Sequence, residues 1–197
     1  MPRAGSPTLP GGAVPPEPMS IGEAAAPPFA ILPNPATLFL RRAERFRALA
    51  PGHQLEPYLT FLASLSQAQN DALKGLPEPS PLDPAAVALA YDNAMPPASS
   101  GQVALDGVFD ATLAAFLDRL LASDIADAPR ETAAALRAQA ADKSRLQAEN
   151  ALFGEMPENA LASQALASHV LLTAALQMHF ARLAARLDAE RLQPVAD

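Results

Sequence analysis

Cysteine is absent from this 197-residue sequence. That excludes disulfides, thiolate-bound zinc, iron–sulfur ligation and a cysteine nucleophile within the chain, and it fits a reducing cytosol. A basic excess is absent too. Fourteen Lys+Arg against 21 Asp+Glu give a net charge of -7, a poor overall footprint for phosphate backbones. Long apolar runs are also missing. The longest, Val170 to Phe180, is too short to span a bilayer and contains His179. The opening MPRAGSPTLPGG has one early arginine and no apolar h-region. Arg41-Arg42 resembles a twin-arginine export signal only as a dipeptide, because Glu44, Arg45 and Arg47 stand where an apolar segment should follow. These absences predict no membrane insertion and no nucleic-acid partner.

The usual catalytic signatures are missing as well. The three histidines, His53, His169 and His179, form no HExxH or His-x-x-x-His pair. His169 and His179 fall almost three turns apart on one expected helix, too far to share a metal. His169, three residues before Leu172 on the apolar stripe, reads as a core or boundary histidine, and His53 as a cap or surface residue. No serine sits in a GxSxG context and no glycine-rich phosphate loop occurs. The acidic residues are scattered without the spacing of a metal cage. The expectation is a non-enzyme with no metal or cofactor of its own.

What the chain does have is proline at its start and helix after it. Ten of the 21 prolines lie in the first 35 residues. Proline fixes φ and removes a backbone donor, so residues 1–34 read as a disordered, Pro-rich arm. Residues 35–197 read as one helical domain. A folded part of about 150 residues buries roughly 68–70% of its unfolded surface, enough to need no staple. The expected fold is all-α, a bundle of five to six helices with essentially no sheet.

Punctuation sets the expected helices. The first spans about Ala36–Ala50 and stops before Pro51-Gly52. The second starts near Leu55–Pro57 with a stripe of Leu55, Tyr58, Leu59, Leu62, Leu65, Leu73 and Leu76. Asp83-Pro84 opens a short third to Tyr91. A fourth covers about Val103–Ala122 on Leu105, Phe109, Leu113, Phe116 and Leu120. An alanine-rich helix is expected from Pro129 towards Phe153. A last one, from Asn159 or Ala160 to Arg191, would span on the order of 45–50 Å, long enough to bend or break.

Arg41, Arg42, Arg45 and Arg47 form the one basic cluster, with Arg41 and Arg45 one turn apart. A solvated face paired with Glu44 and neighbouring acids fits it, at tenths of a kcal/mol per pair. So does a docking face whose guanidinium forks bind carboxylates. RNA binding is a third and weaker reading, since only Tyr58 and Tyr91 offer tyrosine stacking. Gln69 falls on the stripe of the second helix, where a buried amide needs partners and would tie two helices together.

RRAERFRALA followed by GHQLEPYLTFLASLSQAQ resembles the FdhE family of formate dehydrogenase accessory proteins. The family pattern, approximately RRAxRLRxLAxxHPLxxYLxFxAxLxxAQ, is matched by Arg41, Arg42, Ala43, Arg45, Leu49, Ala50, His53, Leu55, Tyr58, Leu59, Phe61, Ala68 and Gln69. Gln54 replaces a usual proline, and Pro57 a small or acidic residue. The segment AALQMHFARLAARLD also reads like the family. The resemblance implies a cytoplasmic, chaperone-like factor that binds the catalytic subunit of respiratory formate dehydrogenase before export. It also implies a second half of rubredoxin-like, metal-binding lobes built from CxxC pairs. With no cysteine here, iron binding is not carried over, and the chain is expected to be a truncated form, a fragment or a separately encoded helical half. Arg41, Arg42, Arg45, His53 and Tyr58 are the partner-contacting residues this reading nominates. A helical adaptor or oligomerisation module unrelated to formate metabolism is the alternative.

Overall fold

The computed structural model describes residues 29–98, 103–154 and 163–192. Most of the expected Pro-rich arm lies outside them. Seven α-helices and no strand are found among the described residues: α1 Pro35–Leu49, α2 Glu56–Ala72, α3 Pro84–Asp92, α4 Gly107–Leu121, α5 Asp127–Ala138, α6 Ala141–Leu152 and α7 Ser163–Ala184. The all-α expectation holds, with more and shorter helices than the periodicity suggested.

Local chemistry fixes the helix starts. Asn34 caps α1 by accepting from the Ala36 amide at 3.0 Å, with Pro35 in the first turn, where its missing donor costs nothing. Asp83 caps α3 through Ala85 in the same way. Asp106 caps α4 through Val108 at 2.8 Å and Phe109 at 3.4 Å, and accepts from Ser80 Oγ at 2.9 Å. Gly52, at φ +70°, turns the chain between α1 and α2 in a conformation that side chains with a Cβ rarely adopt.

Three expectations are corrected. Val103–Asp106 precedes α4 instead of beginning it, because Asp106 takes the cap. The alanine-rich helix is two helices. Gln139 is extended, at ψ 148°, and its amide donates to Ser144 Oγ at 3.0 Å and Gln147 Oε1 at 2.9 Å, which holds the break. The last helix ends at Ala184, well before Arg191. There Arg186 donates to the Pro79 carbonyl, Tyr91 Oη accepts from the Asp188 amide at 3.0 Å, and Asp188 caps a short 3-10 turn, Ala189–Arg191.

α1 and α2 pack along each other as a hairpin, α2 lies on α4, and α7 packs against α4, α5 and α6. Phe39, Phe109, Phe116, Leu117, Leu120, Leu171, Leu172 and Met178 are large apolar side chains fully withdrawn from water. Each such side chain contributes about 1.5–3 kcal/mol of burial free energy. Small residues carry the α2 face: Ala63, Ser66, Ala68 and Ala72 are buried beside Leu65. Gln69 is 0% exposed and donates from Nε2 to the Ala174 carbonyl at 2.8 Å, tying α2 to α7 as its place on the stripe predicted.

Candidate docking site on the α1–α2 hairpin

The basic cluster on α1 divides into two pairs. Arg42 is half-buried, donates to Gln177 Oε1 on α7 at 2.8 Å and stacks over Phe39 at 5.4 Å from the ring centroid. Arg47 donates to Gln67 Oε1 on α2 at 2.8 Å. These two spend their guanidinium groups on amide oxygens that join helices. Arg41 and Arg45 are exposed, and no hydrogen bond or ion pair engages either among the described residues. Pairing with Glu44 is not observed there either. The cluster therefore presents two cations, one turn apart, that no described residue engages.

His53 lies in the turn. Its Nδ1 accepts from the Leu55 amide at 3.0 Å, and Glu56 Oε2 accepts from the Gly52 amide at 3.0 Å. With the backbone bonds from His53 to Ala50 and from Glu56 to His53, these contacts lock the turn. The imidazole holds the hairpin's shape, and its Nε2 stays directed away from that bond. Tyr58 is exposed at the start of α2.

The stripe expected on α2 is thus corrected at one end: Leu55 and Tyr58 lie outside the core, while Leu59, Leu62, Leu73 and Leu76 are half-buried and Leu65 is buried. Leu49, which sequence reasoning placed only as a matching position, is exposed at the end of α1. The available signal was its step of four from Arg45, which sets it on the arginine line and away from Phe39 and Ala43. Beside the hairpin, His53, Pro57 and Phe61 face Asp124, Ile125 and Pro129 across a groove of about 710 Å³. Arg130 fixes the far wall by donating to the carbonyls of Leu121, Ser123 and Ile125.

The core histidine is His179, 2% exposed on α7, whereas His169 is half-buried. The ring of His179 meets Phe109 edge-on at 5.8 Å, and its Nδ1 has no partner among the described residues. Burial pushes its pKa below the ordinary value, with Arg182 adding to the shift. Nearby Asp106 and a hydrogen bond to the Ala104 backbone oppose it. No group of three or more His, Asp or Glu able to hold a metal occurs among the described residues. No described helix is long and apolar enough to cross a membrane.

Fold and site together define an all-α bundle whose α1–α2 hairpin presents exposed arginines. The family described as FdhE, N-terminal, matches residues 27–197, and the chain belongs to it. It is 38% identical over 184 residues to a protein FdhE homolog of Rhizobium meliloti (strain 1021), a match covering 92% of this chain and 58% of that protein. It is 39% identical over 109 residues to a protein FdhE homolog of Stutzerimonas stutzeri (strain A1501), covering 55% of this chain and 35% of the relative. A protein FdhE homolog of Edwardsiella ictaluri (strain 93-146) is 48% identical over 67 residues, covering 34% of this chain and 21% of the relative. The chain thus spans less than two thirds of the length of these curated relatives. No solved structure matches it.

Proposed function

We propose that this chain is the helical part of a cytoplasmic, chaperone-like accessory factor for respiratory formate dehydrogenase, and that it binds the catalytic subunit during assembly. Membership of the FdhE N-terminal family supports the role. The observation that carries the binding claim is the pair of unengaged guanidinium groups, Arg41 and Arg45, on a chain whose net charge is -7. Two cations one helical turn apart suit carboxylates on a partner surface, because bidentate forks add geometry to charge. In this reading the chain binds and does not catalyse, and it holds no cofactor of its own. Arg41, Arg45 and Tyr58 touch the partner, while Arg42 and His53 keep the hairpin in shape.

A pull-down with the purified catalytic subunit tests this. The wild type should recover the subunit, and a double Arg41→Ala, Arg45→Ala variant should recover much less. Failure of the wild type to recover any subunit would remove the partner assignment. Equal recovery by both would remove the arginine assignment alone.

A further inference from the structure

The end of the α1–α2 hairpin carries exposed apolar side chains beside its unengaged cations. On α2, Tyr58, Leu62, Leu65 and Gln69 follow one another at steps of four, three and four along one face. Leu65 and Gln69 are buried, Leu62 is half-buried and Tyr58 is 56% exposed. The face that builds the core therefore runs on past the end of the core. On α1, Arg41, Arg45 and Leu49 follow at steps of four, and Leu49 is 45% exposed. The two lines end at the same turn, where Leu55, 55% exposed, precedes α2. That turn is held by the His53 and Glu56 contacts, so these side chains stand on a stiff frame.

Tyrosine and arginine are residue types enriched in binding hot spots, and here both stand on a rigid support with exposed leucine on the same hairpin. The aromatic body buries area at low entropic cost, and the fork fixes register. The charge selects the partner. A second copy of this hairpin would set arginine against arginine, which is repulsive. A carboxylate-bearing surface is complementary. We propose that the hairpin tip binds a protein segment in which carboxylates flank an apolar side chain. The carboxylates engage Arg41 and Arg45, and the apolar group packs on Leu49, Leu55 and Tyr58. This deepens the proposed function by naming the surface and the chemistry it recognises. It rests on that reading only for which protein supplies the segment.

The test is an amide-shift titration of the isotope-labelled chain with three short synthetic peptides. One alternates glutamate with leucine and phenylalanine, one replaces glutamate by lysine, and one replaces the apolar residues by serine. The first should shift amides between Arg41 and Tyr58 and bind about tenfold or more tighter than either of the others, a difference of roughly 1.4 kcal/mol. Tyr58→Ala should weaken it, and a double Arg41→Glu, Arg45→Glu variant should transfer preference to the lysine peptide. These positions are exposed, so an unchanged helical circular dichroism spectrum confirms that the variants fold. Equal binding of the lysine peptide, shifts confined to another surface, no shifts at all, or peptide-free shifts that grow with chain concentration would each overturn the proposal. Recovery of the catalytic subunit by a variant that no longer binds the acidic peptide would overturn the surface and spare the role. Peptide binding without recovery of the subunit would do the reverse.

Discussion

Gln69 shows how much one buried polar side chain can decide. Its Nε2 is satisfied by the Ala174 carbonyl at 2.8 Å, yet its Oε1 has no partner among the described residues. A good bond and a desolvated acceptor nearly offset each other. Gln69→Leu, which keeps the volume and removes both polar atoms, should change stability by less than about 1 kcal/mol. Gln69→Ala leaves a cavity between α2 and α7 and should cost about 2–3 kcal/mol. Urea unfolding of the two variants separates these outcomes. His179 supplies a pH signature at the same scale. Its folded pKa lies below the ordinary 6.5, so the unfolded chain takes up the proton first as pH falls. The stability that neutral His179 contributes is fully present above about 6.5 and is lost as pH drops through the lower folded value. Asp106→Asn should keep the α4 cap while removing the nearby charge that favours the imidazolium. The His179 ring signal should then titrate at still lower pH in proton NMR, and an unchanged or higher midpoint would refute the assigned influence of Asp106.

Elements were legible in the sequence where their ends carry chemistry. Pro51-Gly52 and Asp83-Pro84 each mark a boundary, and the structure places helix ends beside them. The break inside the alanine-rich segment was not legible, because the residues from Leu136 to Ala141 include several good helix formers. Gln139 leaves the helix through contacts with Ser144 and Gln147 that no propensity encodes. The early end of α7 has a tertiary cause too: Tyr91 and Pro79, about a hundred residues upstream, receive Asp188 and Arg186. The arginine cluster was legible as a cluster, but its division into engaged and unengaged pairs depends on Gln177, 135 residues from Arg42. At this scale Arg130 offers the clearest test, since it spans the α4–α5 connection with three carbonyl contacts. Arg130→Ala should cost about 1–2 kcal/mol by leaving those acceptors to solvent, in keeping with the net worth of charge-assisted bonds at a half-buried site. Hydrogen exchange should rise first around residues 121–127, and uniform acceleration across all helices would contradict that local account.

For the whole molecule, the sign of the charge separates protein from nucleic acid as the occupant of the α1 face. The net charge is -7, and the two unengaged guanidinium groups are a small positive feature within it. Neutralising two phosphates of a single strand by releasing condensed counterions gives a log–log salt slope of only about -1.4, against the six to ten contacts of a dedicated nucleic-acid binder. The remaining carboxylates repel the same polyanion at low salt, where screening is weakest and the Debye length reaches about 30 Å at 0.01 M. A carboxylate-bearing protein segment avoids most of this repulsion, because its charge is local and its apolar group adds contact with Leu49 and Tyr58. A fluorescent single-stranded RNA should therefore show no saturable binding by anisotropy even at low salt. Tight binding that weakens steeply with salt, and that is lost in the Arg41→Ala, Arg45→Ala variant, would make the α1 face a phosphate-binding surface and exclude the acidic-segment reading.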